Sequence, residues 1–422
     1  MSDRRREIME NVYLTYLPAE KFKTGELSVQ LVTPLRRETA SLNALLPAVL
    51  RRGTMRCPDM ESLAAALDRL YGAQIDYTVR KKGENQCVGF VASFIDDAFV
   101  SAGESLMEQV CRLTGELLLD PLTRNGRFLP AYVDSEKSNL IDAIRAIRND
   151  KREYADLRLL QEMCADEPYG VSRLGDEASV GHIHNQNLYQ HYQQLLSTSR
   201  VEIFYCGSCA KSRVESALLE ALAALPRGMA DAPVTAAFRL PPTQPRYVSE
   251  EMDVTQGKLS MGFRCFSDDV PAMILVNLLF GGSSNSKLFL NVREKLSLCY
   301  YASSSFHRVK GIMTVSSGIE TGNYQKAYDE ILRQLTAVQE GDWEDWEVPG
   351  ALSTMLNSLR SLSDTQSGLE NFYLGQAATG QMEAPDDLAE LLQQVTKERI
   401  LAAANTVRLD TVYFLKGKEN NL

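Results

Sequence analysis

Two short runs of this sequence combine residue types that could perform chemistry on their own. His182 and His184 are separated by one residue, so their imidazoles would share one side of an extended segment and could hold a metal ion. Cys206 and Cys209 form a Cys-x-x-Cys pair between a predicted strand and a predicted helix, where the helix N-terminus would lower the pKa of a thiol. Each run also has a plain structural interpretation: the histidines could lie in a polar loop before a helix, and the cysteines in a tight turn.

A helix predicted over residues 42–54 has an unusual composition on one face. Its apolar residues follow the i, i+3, i+4, i+7 pattern of a core-facing helix: Leu42, Leu45, Leu46, Val49 and Leu50. The other face carries Ala44, Pro47 and Ala48, where a helix exposed to water would carry charged side chains. An ordinary packing surface of small residues explains this face without any function.

The order of the predicted elements is repeated in the two halves of the chain. Each half has strands, two helices, a hairpin and a long helix, followed by further helices and a closing strand. This order predicts an α+β protein with two homologous domains, each a mainly antiparallel sheet packed with helices. The predicted boundaries are 1–227 for the N-terminal domain, 228–245 for a proline-rich linker and 246–422 for the C-terminal domain.

Composition excludes several classes of function. The 422 residues are 44% hydrophobic and 24% charged, as in globular proteins, and the net charge is −10. This acidic excess argues against non-specific binding to nucleic acid or to anionic membranes, which require a basic surface. A membrane span needs about 20 consecutive apolar residues, and no apolar run in the sequence approaches that length. No signal peptide is recognisable. We therefore expect a cytoplasmic protein with neither a nucleic-acid nor a membrane partner.

The most informative stretch is "SKLFLNVREKLSLCYYASSSF", residues 286–306. It contains Arg293 and, seven residues later, Tyr300, which lies where the predicted helix gives way to a strand. Together with "QGKLSMGFRC" and "NLLFGG" before it, the stretch resembles the second domain of the pitrilysin/insulinase-type zinc peptidases, particularly their bacterial short-subunit branch. The resemblance extends over essentially the whole chain. It implies the metallohydrolase fold of the mitochondrial processing peptidase.

The resemblance implies a role for Arg293 and Tyr300. In the family, an Arg and a Tyr at this spacing contact substrate carbonyl groups and the developing oxyanion at the zinc site. Both side chains donate hydrogen bonds, which stabilise a transition state where negative charge develops. The two residues are therefore expected to act in catalysis, at the active site of a partner.

The resemblance also gives the face of small residues a second interpretation. In active members, a helix ending in Gly-Thr carries His-x-x-Glu-His, whose histidines bind zinc and whose glutamate is the general base. Counting back from Gly53-Thr54 places the histidines at Ala44 and Ala48 and the glutamate at Pro47. The third ligand, a glutamate on a later helix, falls at Ala143. The resemblance thus implies a vacated zinc site and no metal or other cofactor in this chain.

The main hypothesis is a non-catalytic subunit of a two-component zinc metallopeptidase. A zinc-bearing sibling would be its partner in a heterodimer, and this chain would close the peptide chamber and supply Arg293 and Tyr300. A second copy of the chain is the other partner considered. The alternative function is a peptide-binding or scaffold protein with no hydrolytic role, whose sheet edges would bind an extended peptide. Independent enzyme activity through the cysteines or through His182 and His184 is a third hypothesis.

Overall fold

The computed structural model describes residues 4–101, 103–229, 231, 234, 244–381 and 383–417. The chain forms two units, and each draws on both halves of the sequence. Unit 1 comprises Met1–Ile144, Val171–Thr235 and Ser363–Glu383, and unit 2 comprises Arg145–Gly170, Ala236–Leu362 and Ala384–Leu422. Most of the predicted linker over 228–245 lies outside the described residues, and the predicted domain boundaries stay a prediction.

Unit 1 contains a six-stranded sheet. Its strands are β1 (Arg5–Met9), β2 (Val12–Pro18), β3 (Thr24–Pro34), β4 (Gln74–Lys82), β5 (Asn85–Ile95) and β6 (Arg200–Gly207). The spatial order is β1-β2-β6-β3-β5-β4. Only β2 and β6 pair in parallel, and the other neighbours are antiparallel.

Unit 2 contains a five-stranded sheet with the same plan. Its strands are β7 (Arg246–Met252), β8 (Gly257–Cys265), β9 (Cys299–His307), β10 (Ile312–Ile319) and β11 (Val407–Gly417). The order is β7-β11-β8-β10-β9, with β7 and β11 parallel and the other neighbours antiparallel. It reproduces the order β2-β6-β3-β5-β4 of unit 1, strand for strand. The predicted α+β fold with two homologous, mainly antiparallel sheets is confirmed.

The helices follow the predicted order as well. In chain order they are α1 (Arg37–Leu50), α2 (Met60–Arg69), α3 (Leu106–Leu119), α4 (Pro130–Ile147), α5 (Lys151–Met163), α6 (Glu177–Gly181), α7 (Asn185–Thr198), α8 (Lys211–Ala221), α9 (Val270–Asn277), α10 (Tyr324–Glu340), α11 (Glu347–Leu362), α12 (Gln366–Ala378), α13 (Pro385–Gln393) and α14 (Lys397–Ala404). Two segments of unit 2 are π-helical, Leu278–Gly282 and Leu288–Lys295. The π-helix is rare and often marks a functional site.

A close approach of backbone explains one glycine of the run "NLLFGG" at the end of the first π-helix. A Cβ on Gly281 would lie 2.7 Å from Leu288 Cδ1 and 2.8 Å from the backbone nitrogen of Ser304. Both distances are shorter than real Cβ contacts, so a side chain here would push apart the first π-helix and β9. Gly281 therefore serves packing, which agrees with the absence of a phosphate-loop spacing in the sequence.

Each sheet is covered by a helix from the other half of the sequence, and a buried serine holds that helix. Ser28 on β3 donates to Glu370 Oε1 on α12 at 2.7 Å, and Ser260 on β8 donates to Asp156 Oδ1 on α5 at 2.8 Å. The two serines occupy the same place in the repeated runs "GELS" and "GKLS" of the two strands. The duplicated halves therefore use the same contact to bind their covering helices.

Two carboxylates and an arginine lie close together beneath α12 in unit 1. Arg80 on β4 binds Glu370 through two hydrogen bonds of 2.5 and 2.8 Å. Glu26 on β3 is 7% exposed, and its Oε1 has no hydrogen-bond partner among the described residues. Burial, followed by the nearby charge of Glu370, raises the pKa of Glu26 to about 7 although Arg80 opposes the rise. A proton is therefore bound at Glu26 in the folded protein at weakly acidic pH.

We expect Glu26→Gln to remove part of the pH dependence of stability. Because the pKa of Glu26 is higher in the folded than in the unfolded chain, its contribution is lost as pH rises through about 7. Glu26→Gln should raise the free energy of unfolding by about 1–3 kcal/mol at about pH 8, with a smaller gain at about pH 5. Urea denaturation at the two pH values measures this. The exposed Glu20→Gln is the control, and an equal gain at both pH values would contradict the assignment.

Candidate functional site

The three residues that the resemblance assigns to the zinc motif lie on α1 and are buried. Ala44 is 3% exposed, Ala48 is 8% exposed, and Pro47 is buried between them. The helix continues to Leu50 in spite of the proline, although Pro47 has no N–H to donate to the carbonyl of Asn43. A methyl group and a pyrrolidine ring offer no lone pair, so this face of α1 cannot coordinate a metal ion.

The position assigned to the third ligand lies on α4. Ala143 is exposed and also lacks a donor atom for a metal. One carboxylate, Glu136, remains two turns earlier on the same helix, and it is buried. Glu136 accepts hydrogen bonds from Arg52 at 3.1 Å and from Asn139 at 3.0 Å. This carboxylate is therefore neutralised by a salt bridge within the chain.

A buried polar chain lies beside the altered helix face. His191 Nε2 is 2.6 Å from Asn43 Oδ1, and Asn43 Nδ2 donates to Gln86 Oε1 at 2.9 Å. Burial lowers the pKa of His191 to about 4, so the ring is neutral at pH 7 and donates its Nε2 proton to Asn43. Gln86 in turn donates to the carbonyl groups of Ala40 and Arg173. The polar side chains of His191, Asn43 and Gln86 thus meet one another's hydrogen-bonding needs, and they join α1 to α7 and β5.

The structure gives the paired histidines of the sequence a capping role. His184 is the N-cap of α7, and its Nδ1 accepts from the backbone N–H of Asn187 at 3.3 Å. His182 is the C-cap of α6. Across the described residues, no group of three or more His, Cys, Asp and Glu side chains is arranged to hold a metal ion. The capping geometry supports the interpretation as a polar loop.

The cysteine pair is buried in unit 1. Burial raises the pKa of Cys206 and that of Cys209 to about 11. Cys209 Sγ lies 3.5 Å from Asp97 Oδ2, a neighbour that further disfavours a thiolate. A redox dithiol requires the opposite, a pKa lowered toward neutrality. Both residues remain thiols at pH 7, which fits the tight-turn interpretation.

Arg293 and Tyr300 belong to unit 2, at the two ends of a short connection. Arg293 is in the second π-helix, and Tyr300 is the second residue of β9, the edge strand of its sheet. Tyr300 is 61% exposed, and its hydroxyl has no hydrogen bond to another described residue. Arg293 stacks on Phe289, 4.7 Å from the ring centroid, and pairs at 3.4 Å with the adjacent, exposed Glu294. Both donors are therefore available to an external acceptor.

One ion pair and one local winding of the chain near these sites were not predicted from the sequence. Arg52 adjoins the Gly53-Thr54 turn, but its partner Glu136 is 84 residues away along the chain. Charged residues are common on helices, so no local signal marks such a pair. The π-helical winding around Arg293 was predicted as an ordinary helix, because a few residues cannot distinguish the two periods.

The burial of α1 predicts unequal effects when ligands are restored singly. Ala44→His places an imidazole where the side chain is 3% exposed, and should lower the free energy of unfolding by about 1–3 kcal/mol through overpacking. Ala143→Glu changes an exposed helix position and should stay within about 0.5 kcal/mol. Urea denaturation of both variants measures this. A neutral Ala44→His would mean that the space once needed by a ligand is still open.

No helix among the described residues combines the length and the apolar composition needed to cross a membrane.

Comparison with known proteins adds to these observations. The family model "Peptidase M16 inactive domain" matches residues 182–355. A Bacillus subtilis (strain 168) protein named "Probable inactive metalloprotease YmfF" is 36% identical over 412 residues, which cover 95% of this chain and 94% of that protein. The similarity therefore includes both halves of the chain.

Two solved structures have folds similar to that of this chain. A conserved protein from Enterococcus faecalis V583 has a TM-score of 0.91 and 26% identity, with 99% of each chain covered. A peptidase M16 inactive domain from Pseudomonas fluorescens has a TM-score of 0.78 at 17% identity, with 98% of this chain and 97% of that one covered, and supports the fold alone. Since the 36% identity extends over 95% of the chain, this protein belongs to the M16 family of metallopeptidases, the pitrilysin/insulinase-type peptidases, as a member that lacks the zinc-binding motif.

Proposed function

We propose that this chain is the non-catalytic subunit of a two-component zinc metallopeptidase. It pairs with a zinc-bearing sibling of the same family, closes the peptide chamber and contributes Arg293 and Tyr300 to the sibling's active site. Zinc is bound by the partner. In this chain, the positions that the resemblance assigns to the three zinc ligands are occupied by Ala44, Ala48 and Ala143, which cannot bind a metal. The substrate is a peptide, and the expected location is the cytoplasm.

The exposure of Arg293 and Tyr300 is the observation that carries this proposal. A phenol that is 61% exposed and makes no hydrogen bond contributes little to folding. The ion pair of Arg293 with Glu294 joins side chains that are 41% and 54% exposed, and such surface pairs stabilise a fold very little. The side-chain contacts of Arg293, with Phe289 and Glu294, are confined to its own π-helix, and the Tyr300 hydroxyl has no hydrogen bond to a described residue. Such weakly held side chains suit donors that act on another molecule.

The chemistry divided between the subunits is peptide-bond hydrolysis. The zinc-bound water of the partner would attack the scissile carbonyl, whose oxygen then acquires negative charge. In this chain, the guanidinium of Arg293 and the hydroxyl of Tyr300 would donate hydrogen bonds to that oxygen or to neighbouring substrate carbonyls. Donors fixed before the reaction cost no rearrangement when the charge develops, so their effect is on the rate of turnover.

Arg293→Ala should lower the turnover of a peptide substrate by the purified complex by about ten- to a thousand-fold, because one oxyanion donor is lost. Tyr300→Phe, which removes only the hydroxyl, should also slow turnover. Glu294→Ala is the matched control, since it changes an exposed neighbouring charge and releases Arg293 from its ion pair. Size-exclusion chromatography verifies that each complex is intact. Full turnover with an intact Arg293→Ala complex would refute catalysis in trans.

Affinity purification of the native chain from its own cells tests the partnership. We expect a stoichiometric protein of similar length that carries His-x-x-Glu-His, identified by mass spectrometry. Zinc analysis should find the metal in that protein. Recovery of the chain alone, or only with further copies of itself, would contradict the heterodimer.

The edge strands support the alternative, a peptide-binding protein without a hydrolytic role. β4 ends the sheet of unit 1 and β9 ends the sheet of unit 2, so each has one side without a strand partner among the described residues. An extended peptide could add to either edge through main-chain hydrogen bonds. Peptide binding that is unaffected by Arg293→Ala, in a chain with no zinc-bearing partner, would favour this function.

A further inference from the structure

Unit 1 contains a cavity on the side of α2 that faces α3. It has a volume of about 450 Å³ and is also lined by the turn that follows α1. Its floor is apolar and buried, and consists of Cys57, Ala66, Leu70 and Leu113, each at most 9% exposed. The volume lies in the range of pockets for small organic ligands.

Three arginines from three different segments line this cavity. Arg56 comes from the turn after α1, Arg69 from the end of α2, and Arg112 from the middle of α3. All three are exposed. No Asp or Glu of the described chain is among the lining residues. A chain with a net charge of −10 thus concentrates positive charge at one pocket.

Two of these guanidinium groups are unused within the protein. Arg69 and Arg112 make no hydrogen bond or ion pair with another described residue. Arg56 pairs with Glu116 at 3.1 Å. The other acidic residue near Arg112 on α3, Glu108, pairs with Arg213 at 3.1 Å. Glu116 and Glu108 are thus engaged by other arginines, and Arg69 and Arg112 make no direct ion pair with a described carboxylate.

We propose that this cavity binds a small organic anion that carries several negative oxygens, a phosphorylated or polycarboxylated molecule. Guanidinium groups present parallel N–H donors that match the oxygens of phosphate and carboxylate in pairs. Three of them around one cavity suit a ligand with more than one such group. The apolar floor holds the carbon framework or ring of the ligand. This site lies within unit 1 and is independent of the proposed function.

Binding to the full-length chain tests the proposal by titration calorimetry at about 0.15 M ionic strength, where weak surface attraction is screened. The probes are inorganic pyrophosphate, adenosine diphosphate and citrate, and we expect at least one to bind with a Kd below about 1 mM. The double variant Arg69→Ala/Arg112→Ala should weaken that Kd at least about tenfold. Both positions are exposed on helices that favour alanine, so this variant should fold.

Two further variants make the result decisive. Ala65→Trp introduces a ring at an exposed lining position and should also abolish binding, because it fills the cavity. Arg360→Ala is the control, an exposed arginine of α11 with no ion pair among the described residues, and should leave the Kd within about twofold. Failure of all three probes to bind the wild-type chain would overturn the proposal. Equal weakening by Arg360→Ala, or unchanged binding by the double arginine variant, would overturn it as well.

Discussion

The constraint on which this fold depends is that the sheet of each unit is covered by a helix from the other half of the sequence. Residues 363–383 complete unit 1, and residues 145–170 complete unit 2. Ser28 and Ser260, at corresponding places on the central strands, bind the carboxylates of the covering helices at 2.7 and 2.8 Å. A buried carboxylate needs such donors, since leaving it unpaired is costly. Neither half of the sequence alone contains all of its unit.

The two sets of residues that the family resemblance singles out differ in their physical state. The residues of α1 that the resemblance assigns to the zinc motif are small, apolar and buried, so they can take part in packing. Tyr300 is exposed and Arg293 is half-buried, and among the described residues the side chain of Arg293 contacts neighbours on its own π-helix, Phe289 and Glu294. The structure thus fills the positions that the resemblance assigns to α1 with packed, non-polar groups. Arg293 and Tyr300 contribute little to the stability of the fold, so their hydrogen-bond donors are free to act on another molecule.

Sequence periodicity predicted much of the fold and less of the sites. The pattern of Leu45, Leu46, Val49 and Leu50 identified α1, and the order of hairpins and helices identified the duplication. The pattern did not show that the opposite face, with Ala44, Pro47 and Ala48, is buried as well. The exchange of α5 and α12 could not be predicted, because contacts such as Ser28 with Glu370 join residues 342 apart and leave no local pattern. The pair Cys206 and Cys209 matched a redox spacing, but only the fold reveals the burial that keeps both as thiols.

The two repeats have kept one backbone plan while their buried charges have diverged. In unit 2, Arg264 and Lys310 surround Glu167, and Arg264 also binds Asp410 at 3.0 Å, so two cations balance two carboxylates. Burial opposes ionisation of Glu167, but these hydrogen bonds hold its pKa below the ordinary value. In unit 1, Arg80 is the cation paired with Glu370, to which Ser28 also donates, while Oε1 of the nearby Glu26 has no hydrogen-bond partner among the described residues. Glu26 corresponds in the repeat to Lys258, which lies outside the cluster around Arg264. Glu167, held by two cations, therefore stays ionised at neutral pH, whereas Glu26, whose pKa is about 7, binds a proton on the acidic side of neutrality.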